Sequence, residues 1–244
     1  MDAEKGTVVR EGVESIVNPF DTYALEEAVR IREKLGEGQV VAVSMGPPQA
    51  EGALRECVSV GADEAVLVSD RAFAGSDTWA TSYTLAEALK EVGFDLIICG
   101  KQAIDGDTAQ VGPGIAVHLD LPQATYVRKI REIGDGKIVV ERLIEEGVEV
   151  VEVPLPALLT VVKEINEPRL PSLKGKMRAR KAEIRKLTQA ELKLPAENIG
   201  TDGSPTRVVS IFSPPPREGG EMYEGEVDEV TDKLIAALEK EGLV

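Results

Sequence analysis

The chain is poor in the residues that do acid–base and metal chemistry. It has 244 residues but only one histidine, His118, and two cysteines, Cys57 and Cys99. With a single histidine and no cysteine cluster, a zinc site and a histidine-based triad both lack their parts. The cysteines lie far apart in apolar segments, which fits reduced core residues and not a disulfide framework. Basic charge is also scarce: 28 Lys and Arg stand against 43 Asp and Glu, a formal charge of −15. A nucleic-acid binder carries a basic footprint, and an anionic membrane surface attracts one, so neither partner is expected. No apolar run approaches the ~18 residues of a membrane span. No signal-peptide pattern stands at the start either, so a cytoplasmic protein is expected.

What is present is a regular alternation. Hydrophobic residues make up 43% of the chain, enough for a large α/β core. Asn18-Pro19-Phe20-Asp21 stops one segment, and Asp21 or Thr22 is placed to cap a helix over residues 23–35. A buried strand over 39–44 follows, then a helix over 50–60, a strand over 65–68, a helix over 77–92 and a strand over 94–99. Short turns between alternating strands and helices predict a parallel sheet with helices on both faces. One thing is missing from this pattern. A doubly wound domain begins with a fully buried strand, yet before the first helix there are only Thr7-Val8-Val9 and residues 13–17, broken by charges and Gly12. The native first strand is therefore expected to be absent from this sequence.

The strand at 94–99 runs into Gly100-Lys101-Gln102-Ala103-Ile104-Asp105-Gly106-Asp107-Thr108-Ala109-Gln110-Val111-Gly112-Pro113-Gly114, and a helix follows. Ligands of open α/β sheets bind where strands end at their carboxyl edge. Small residues admit close backbone approach, and a helix N-terminus adds partial positive charge. The stretch is either a phosphate cradle or an ordinary strand–helix loop. It matches neither GxGxxG nor a P-loop.

Beyond Leu121-Pro122 the texture changes. Residues 125–130, 137–143, 148–153 and 157–162 are predicted as strands added antiparallel at the sheet edge. Residues 163–186 are basic, a solvated face or a surface for an acidic partner. Residues 187–224 show little periodicity, and a helix over 227–241 carries Val230, Leu234, Ile235 and Leu238 on one side. The expected division is a nucleotide-binding α/β domain over 1–186 and an extended arm with a helix over 187–244, docking on another subunit.

Three stretches together resemble the β subunit of electron transfer flavoproteins. They are Val17-Asn18-Pro19-Phe20-Asp21 leading into Ala24-Leu25-Glu26-Glu27-Ala28, the loop from Gly100 to Gly112, and Val140-x-Arg142-x-x-Glu145-Glu146-Gly147-x-Glu149-x-Val151-x4-Pro156-x-Leu158-Leu159-Thr160. The resemblance implies an adenine-nucleotide α-hydrolase-like fold paired with a flavin-carrying α subunit. It implies a bound nucleotide, either FAD that accepts hydride from NADH in electron-bifurcating members or structural AMP in respiratory ones. The loop, Met45-Gly46-Pro47-Pro48, Ser69-Asp70-Arg71-Ala72-Phe73 and Gly203-Ser204-Pro205-Thr206 look like the bifurcating type. On the matching positions, Asn18, Pro19, Phe20, Asp21, Met45 and Gly100 through Gly112 would touch the nucleotide, with Thr108 and Gln110 bonding diphosphate or ribose. Gly100, Gly106 and Gly112 would leave room for it. Arg142 would secure the subunit interface. Leu173 matches the loop that meets an acyl-CoA or similar dehydrogenase. No residue is implied as a catalytic acid or base.

Overall fold

The computed structural model describes residues 15–210, 215 and 219–244. Helix α1 spans Pro19–Leu35, four residues earlier than the periodicity suggests, because Pro19 suits the first helical position and Asn18 becomes the cap residue. It ends at Gly36 in the left-handed conformation, its N–H donating to the Arg32 carbonyl. Strand β1 (Val41–Met45), helix α2 (Glu51–Val60), strand β2 (Glu64–Val68), helix α3 (Thr78–Val92), strand β3 (Leu96–Gly100) and helix α4 (Val111–His118) follow in the predicted alternation. Then come β4 (Gln123–Gly134), β5 (Lys137–Ile144), β6 (Gly147–Pro154), β7 (Ala157–Val161), α5 (Leu173–Lys181), β8 (Arg185–Leu187), the short α6 (Gln189–Leu192) and α7 (Val227–Lys240).

The strands form two sheets, β1-β2-β8 and β3-β7-β4-β5-β6. Alternating side chains put them in one middle layer. Ala42, Ala65 and Leu67 pack toward α2 and α5, while Val66 and Val68 pack toward α3. In the larger sheet Ile98, Leu159 and Val161 pack toward α1, and Ile97 and Leu158 toward α3 and α4. Helices α1 and α3 therefore bridge both sheets, giving three layers. Among the described residues β1 pairs with β2 alone, and β3 with β7 alone. Among the described residues no strand joins β1 to β3. Between them opens a cavity of about 600 Å³, lined by Val41, Val43, Met45, Ile98, Cys57 and Cys99 among others. The expectation about Thr7-Val8-Val9 lies outside the described residues.

Two expectations change. Residues 157–162 were expected at an antiparallel edge, but β7 runs parallel to both β3 and β4 between them. All of its residues, Ala-Leu-Leu-Thr-Val, are buried, as a strand covered on both faces requires. Only β4–β5–β6 form the antiparallel addition. The second concerns the boundary at 186/187. Strand β8 pairs with β2, and Leu187, Leu194 and Ile199 join Val66, Val68 and Phe73 in one core cluster. The compact unit runs through Val209, and residues from Ser210 onward form a separate unit that contains α7.

Helices α2 and α5 clasp each other. From α2, Arg55 Nη1 donates to the Ala179 and Ala182 carbonyls at the end of α5, at 2.7 and 3.0 Å. From α5, Arg178 Nη2 donates to the Val58 and Ala62 carbonyls at the end of α2, at 2.7 and 2.8 Å. Each guanidinium thus satisfies the orphan carbonyls and the negative pole of the other helix. Gly175 makes the crossing possible, since a Cβ there would lie 2.0 Å from the Ser59 carbonyl oxygen.

Candidate functional site

Two residues of the Asn-Pro-Phe-Asp stretch hold the loop after β3. The Asn18 side chain, which makes no helix-capping bond, donates to the Gln102 carbonyl at 2.9 Å and to Asp21 at 2.8 Å, and it accepts from the Ile104 N–H at 3.1 Å. Asp21 accepts from the Gly100 N–H at 2.7 Å. Burial pushes the Asp21 carboxyl above its usual range against the pull of these hydrogen bonds. Gly100 is required for this junction, because a Cβ would sit 2.5 Å from the Phe20 Cβ and 2.6 Å from its carbonyl carbon. Gln102 bonds Asp107 across the turn, and the Asp107 N–H closes it on the Ala103 carbonyl at 2.8 Å.

The loop then opens outward. Residues 103–108 are exposed. Asp107 and Ala109 both take positive φ, near 52° and 53°, a strained setting for an alanine. Among the described residues nothing accepts from the amides of Asp105, Gly106, Thr108, Ala109 or Gln110, which lead into the N-terminus of α4. Unpaired amides before a helix N-terminus form an anion cradle. Gln110 bonds Thr78 Oγ1 at 2.9 Å, tying the starts of α4 and α3 together. At α3 the cap Asp77 accepts from Trp79 and Ala80, and its second oxygen accepts from Thr206 N and Oγ1 at 2.9 and 2.8 Å. The Gly203–Thr206 stretch is thereby brought beside the cradle. Met45, at the carboxyl end of β1, lines the cavity together with Ala103, Ile104 and Asp105.

The glycines divide by role. Gly106 has nothing within 4 Å of a Cβ position and leaves space for a ligand. Gly112 does not serve that purpose: its Cβ would meet Thr160 Cγ2 at 2.8 Å and Cys99 Sγ at 2.9 Å, so its smallness lets α4 pack on β3 and β7. The Gly100 position is likewise closed by α1.

One participant carries no sequence signal. A register shift in β4 puts Tyr126 at φ 58°, with its N–H donating to Thr160 Oγ1 at 3.1 Å. Its ring centroid then lies 5.6 Å from the Lys101 ammonium, and Phe20 lies 5.1 Å from the same group. Cation–π attraction to two rings fixes Lys101 at the head of the loop. The cysteines are inert: burial pushes the Cys57 thiol up to about 12 and the Cys99 thiol higher still. Arg142 is engaged within the chain, with Thr125 O at 3.1 Å, Thr125 Oγ1 at 3.0 Å and Glu149 at 3.4 Å, stapling β4, β5 and β6. Leu173 is the exposed first residue of α5, which Ser172 caps through the Gly175 N–H. Among the described residues no helix is long and apolar enough to cross a membrane.

His118 reports on this region. Its ring centroid lies 4.4 Å from that of Trp79, the chain's single tryptophan, in a tilted contact, and 5.5 Å from that of Tyr83, edge to face. Its Nε2 is buried without a hydrogen-bond partner among the described residues, and desolvation lowers its pKa below the ordinary histidine value. Trp79 emission should therefore drop in a step below pH ~6.5, as the imidazolium forms and quenches the indole. His118→Asn should abolish the step, and a step at or above the ordinary value would contradict the desolvation.

Three layers, a parallel core and a loop-rich carboxyl edge define an open-sheet α/β domain. Residues 5–192 match the family model described as "Electron transfer flavoprotein domain". The chain is 52% identical over 239 residues to an electron transfer flavoprotein subunit beta of Thermoanaerobacterium thermosaccharolyticum, covering 98% of this chain and 91% of the relative. It is 49% identical to the caffeyl-CoA reductase-Etf complex subunit CarD of Acetobacterium woodii, covering 100% and 94%. It is 41% identical to the acryloyl-CoA reductase electron transfer subunit gamma of Anaerotignum propionicum, covering 94% and 90%. The chain belongs to the electron transfer flavoprotein family, as a β subunit, and its role is electron transfer.

Proposed function

We propose that this β subunit works in a heterodimer with a flavin-carrying α subunit, and that its own site holds FAD in the electron-bifurcating manner. The observation that carries this reading is the set of amides at Asp105, Gly106, Thr108, Ala109 and Gln110, unpaired among the described residues, before α4 and beside the Asp77–Thr206 junction. A diphosphate suits that donor set: it is anionic and needs several N–H groups converging from a loop and a helix start. The names of the caffeyl-CoA and acryloyl-CoA reductase relatives support a place in a reductase assembly. When bound, the flavin supplies the redox chemistry, accepting hydride from NADH and releasing electrons to a dehydrogenase and to a low-potential acceptor. The chain's residues bind and orient it. Asn18 and Asp21 fix the loop, Thr108 and Gln110 offer side-chain hydrogen bonds, and Lys101 supplies a positive charge at the loop's head. Met45 borders the cavity that the loop closes. The separate C-terminal unit, with α7, docks on the α subunit. Denaturing the αβ complex and reading the spectrum of the released nucleotide tests this. Two flavins per αβ pair are expected; one flavin with AMP would establish the respiratory type instead.

Leu173 and its neighbours meet the dehydrogenase in this reading. Lys174, Lys176, Arg180 and Lys181 give this face a positive charge in a chain of net charge −15, which suits an apolar patch with an acidic rim. Leu173→Ala should slow electron transfer to an acyl-CoA dehydrogenase and leave reduction of the bound flavin by NADH intact. The contribution of the lysines should fade with salt, since exposed charges are screened beyond ~8–10 Å at 0.1–0.15 M, while the Leu173 effect should persist. Equal loss of both half-reactions would remove the docking role.

A further inference from the structure

We propose that the buried Glu26 and its partner Arg169 are positioning residues that aim the exposed apolar row Leu170, Leu173 and Met177 at the partner protein. This rests on the reading of that row as the dehydrogenase-docking surface. The row is open: Leu170 is 89% exposed, Leu173 78% and Met177 56%. Leu173 and Met177 stand four residues apart on α5 and share a face. Leu170 precedes the helix, on a segment between β7 and α5 whose regular structure is limited to a 3-10 turn at Lys163–Ile165. Such a segment, left free, would have to be ordered on binding, and each immobilised side chain costs affinity.

Anchors from a single helix remove that freedom. Asn166 Nδ2 donates to the Tyr23 carbonyl at 3.0 Å and to Glu27 at 2.9 Å. Arg30 Nη2 donates to the Glu167 carbonyl at 3.0 Å. Arg169 then makes a double fork. Its Nε and Nη2 donate to the two Glu26 oxygens at 2.7 and 3.2 Å, and Nη1 and Nη2 donate to the two Glu33 oxygens at 2.6 and 2.9 Å. The Arg169 backbone N–H also donates to Glu26 at 3.2 Å. Tyr23, Glu26, Glu27, Arg30 and Glu33 all belong to α1. Glu26 itself is 1% exposed. Burial pushes its carboxyl up, but the hydrogen bonds from Arg169 and Arg30 prevail and hold it below the usual range.

A buried ion pair is a poor device for stability alone, because an apolar pair of similar volume does as well. A planar fork bound on two sides fixes direction as well as distance. Leu170 is the next residue after that fork. On its other side the row is fixed by the α2–α5 clasp and the close crossing at Gly175. The docking row is thus a span set on two rigid supports, one on α1 and one on α2.

The test uses the αβ complex and an acyl-CoA dehydrogenase whose turnover the unaltered complex supports. In Arg169→Gln, amide exchange at residues 166–173 should quicken and KM for the dehydrogenase should rise about fivefold, with kcat at saturating partner, nucleotide content and reduction by NADH unchanged. Arg169→Lys keeps the charge beside Glu26 but loses the fork, and should fall between. If Arg169→Gln does not fold, Glu33→Gln, which leaves Glu26 paired, should raise KM about twofold. Faster exchange or a lower melting temperature with unchanged KM would overturn the inference and leave a structural pair. Leu173→Ala run in parallel separates the failures: if it raises KM and the Arg169 variants do not, the clamp alone falls. If Leu173→Ala leaves KM unchanged, the docking reading falls and the clamp with it.

Discussion

Gly106→Val is expected to strip the β-subunit nucleotide while the fold stays intact, and Gly112→Val is expected to do the reverse in order, damaging the fold first. At position 106 a side chain meets nothing within 4 Å and the backbone does not need positive φ. The valine methyls would enter the open space at the loop that carries the cradle amides. Flavin content of the αβ complex should fall from two to about one per pair, with melting unchanged within about 2 °C. At position 112 the first added carbon already lies 2.8 Å from Thr160 Cγ2 and 2.9 Å from Cys99 Sγ. Overpacking of this kind costs about 1–3 kcal/mol, a drop of roughly 3–10 °C for a chain of this size. Calorimetry with the absorbance of released flavin reads both. A Gly106→Val complex with two flavins at full occupancy would place the cradle elsewhere.

Asp77→Ala carries the other large effect. One carboxylate oxygen caps α3 through the Trp79 and Ala80 amides at 2.9 and 3.1 Å, and the other holds Thr206 through N and Oγ1. Its own N–H donates to Ser204 Oγ at 2.8 Å, and Ser204 in turn donates to the Gly200 carbonyl at 2.6 Å. Losing a cap costs about 1 kcal/mol, and charge-assisted bonds to Thr206 add about 1–2 kcal/mol more. A loss near 2–3 kcal/mol in urea unfolding is expected, together with weaker nucleotide retention, because the Gly203–Thr206 stretch is no longer held beside the loop. The pH dependence has a definite sign. Burial raises the Asp77 carboxyl, yet hydrogen bonds from Ala80, Thr206 and Trp79 outweigh it and hold the pKa below its usual value. A depressed carboxylate stabilises above the unfolded value of ~3.9, and that contribution is lost as pH falls through the folded one. The gap between wild type and Asp77→Ala should stay constant down to about pH 4 and narrow below it. A gap under ~0.5 kcal/mol at neutral pH would mean the carboxylate bears neither segment.

The alternation from α1 to α4 was legible because each of those elements carries its own period and its own punctuation, such as Pro19 at a helix start and Gly61 after α2. The loop from Gly100 was legible from its small residues and its place after a buried strand. The family resemblance found the same stretch. What failed was non-local. Ala157 to Val161 form an apolar run that looks the same at an edge or in the centre, and only its two partners decide. Helix α5 buries just Ala179, so it has no apolar stripe to betray it. Residues 187–204 scatter their few anchors, Leu187, Leu194 and Ile199, without a period, yet each is buried. The glycine roles were hidden for another reason. Gly106 and Gly112 have the same side chain, and only the neighbours supplied by Thr160 and Cys99 separate them.

The α2–α5 clasp also bears on the order in which the molecule is made. Arg55 and Ala179 are separated by 124 positions, and Arg178 and Val58 by 120. Contacts that distant are slow to form and cannot begin until the later partner exists. During synthesis α2 leaves the ribosome with its last carbonyls uncapped and stays so while β2 through β7 are added. The apolar row at Leu170, Leu173 and Met177 gains its second support only when Ala182 has emerged. A nascent or prematurely ended chain would expose Leu170, Leu173 and Met177 without the frame that orients them, so this apolar face is among the last parts of the subunit to be finished.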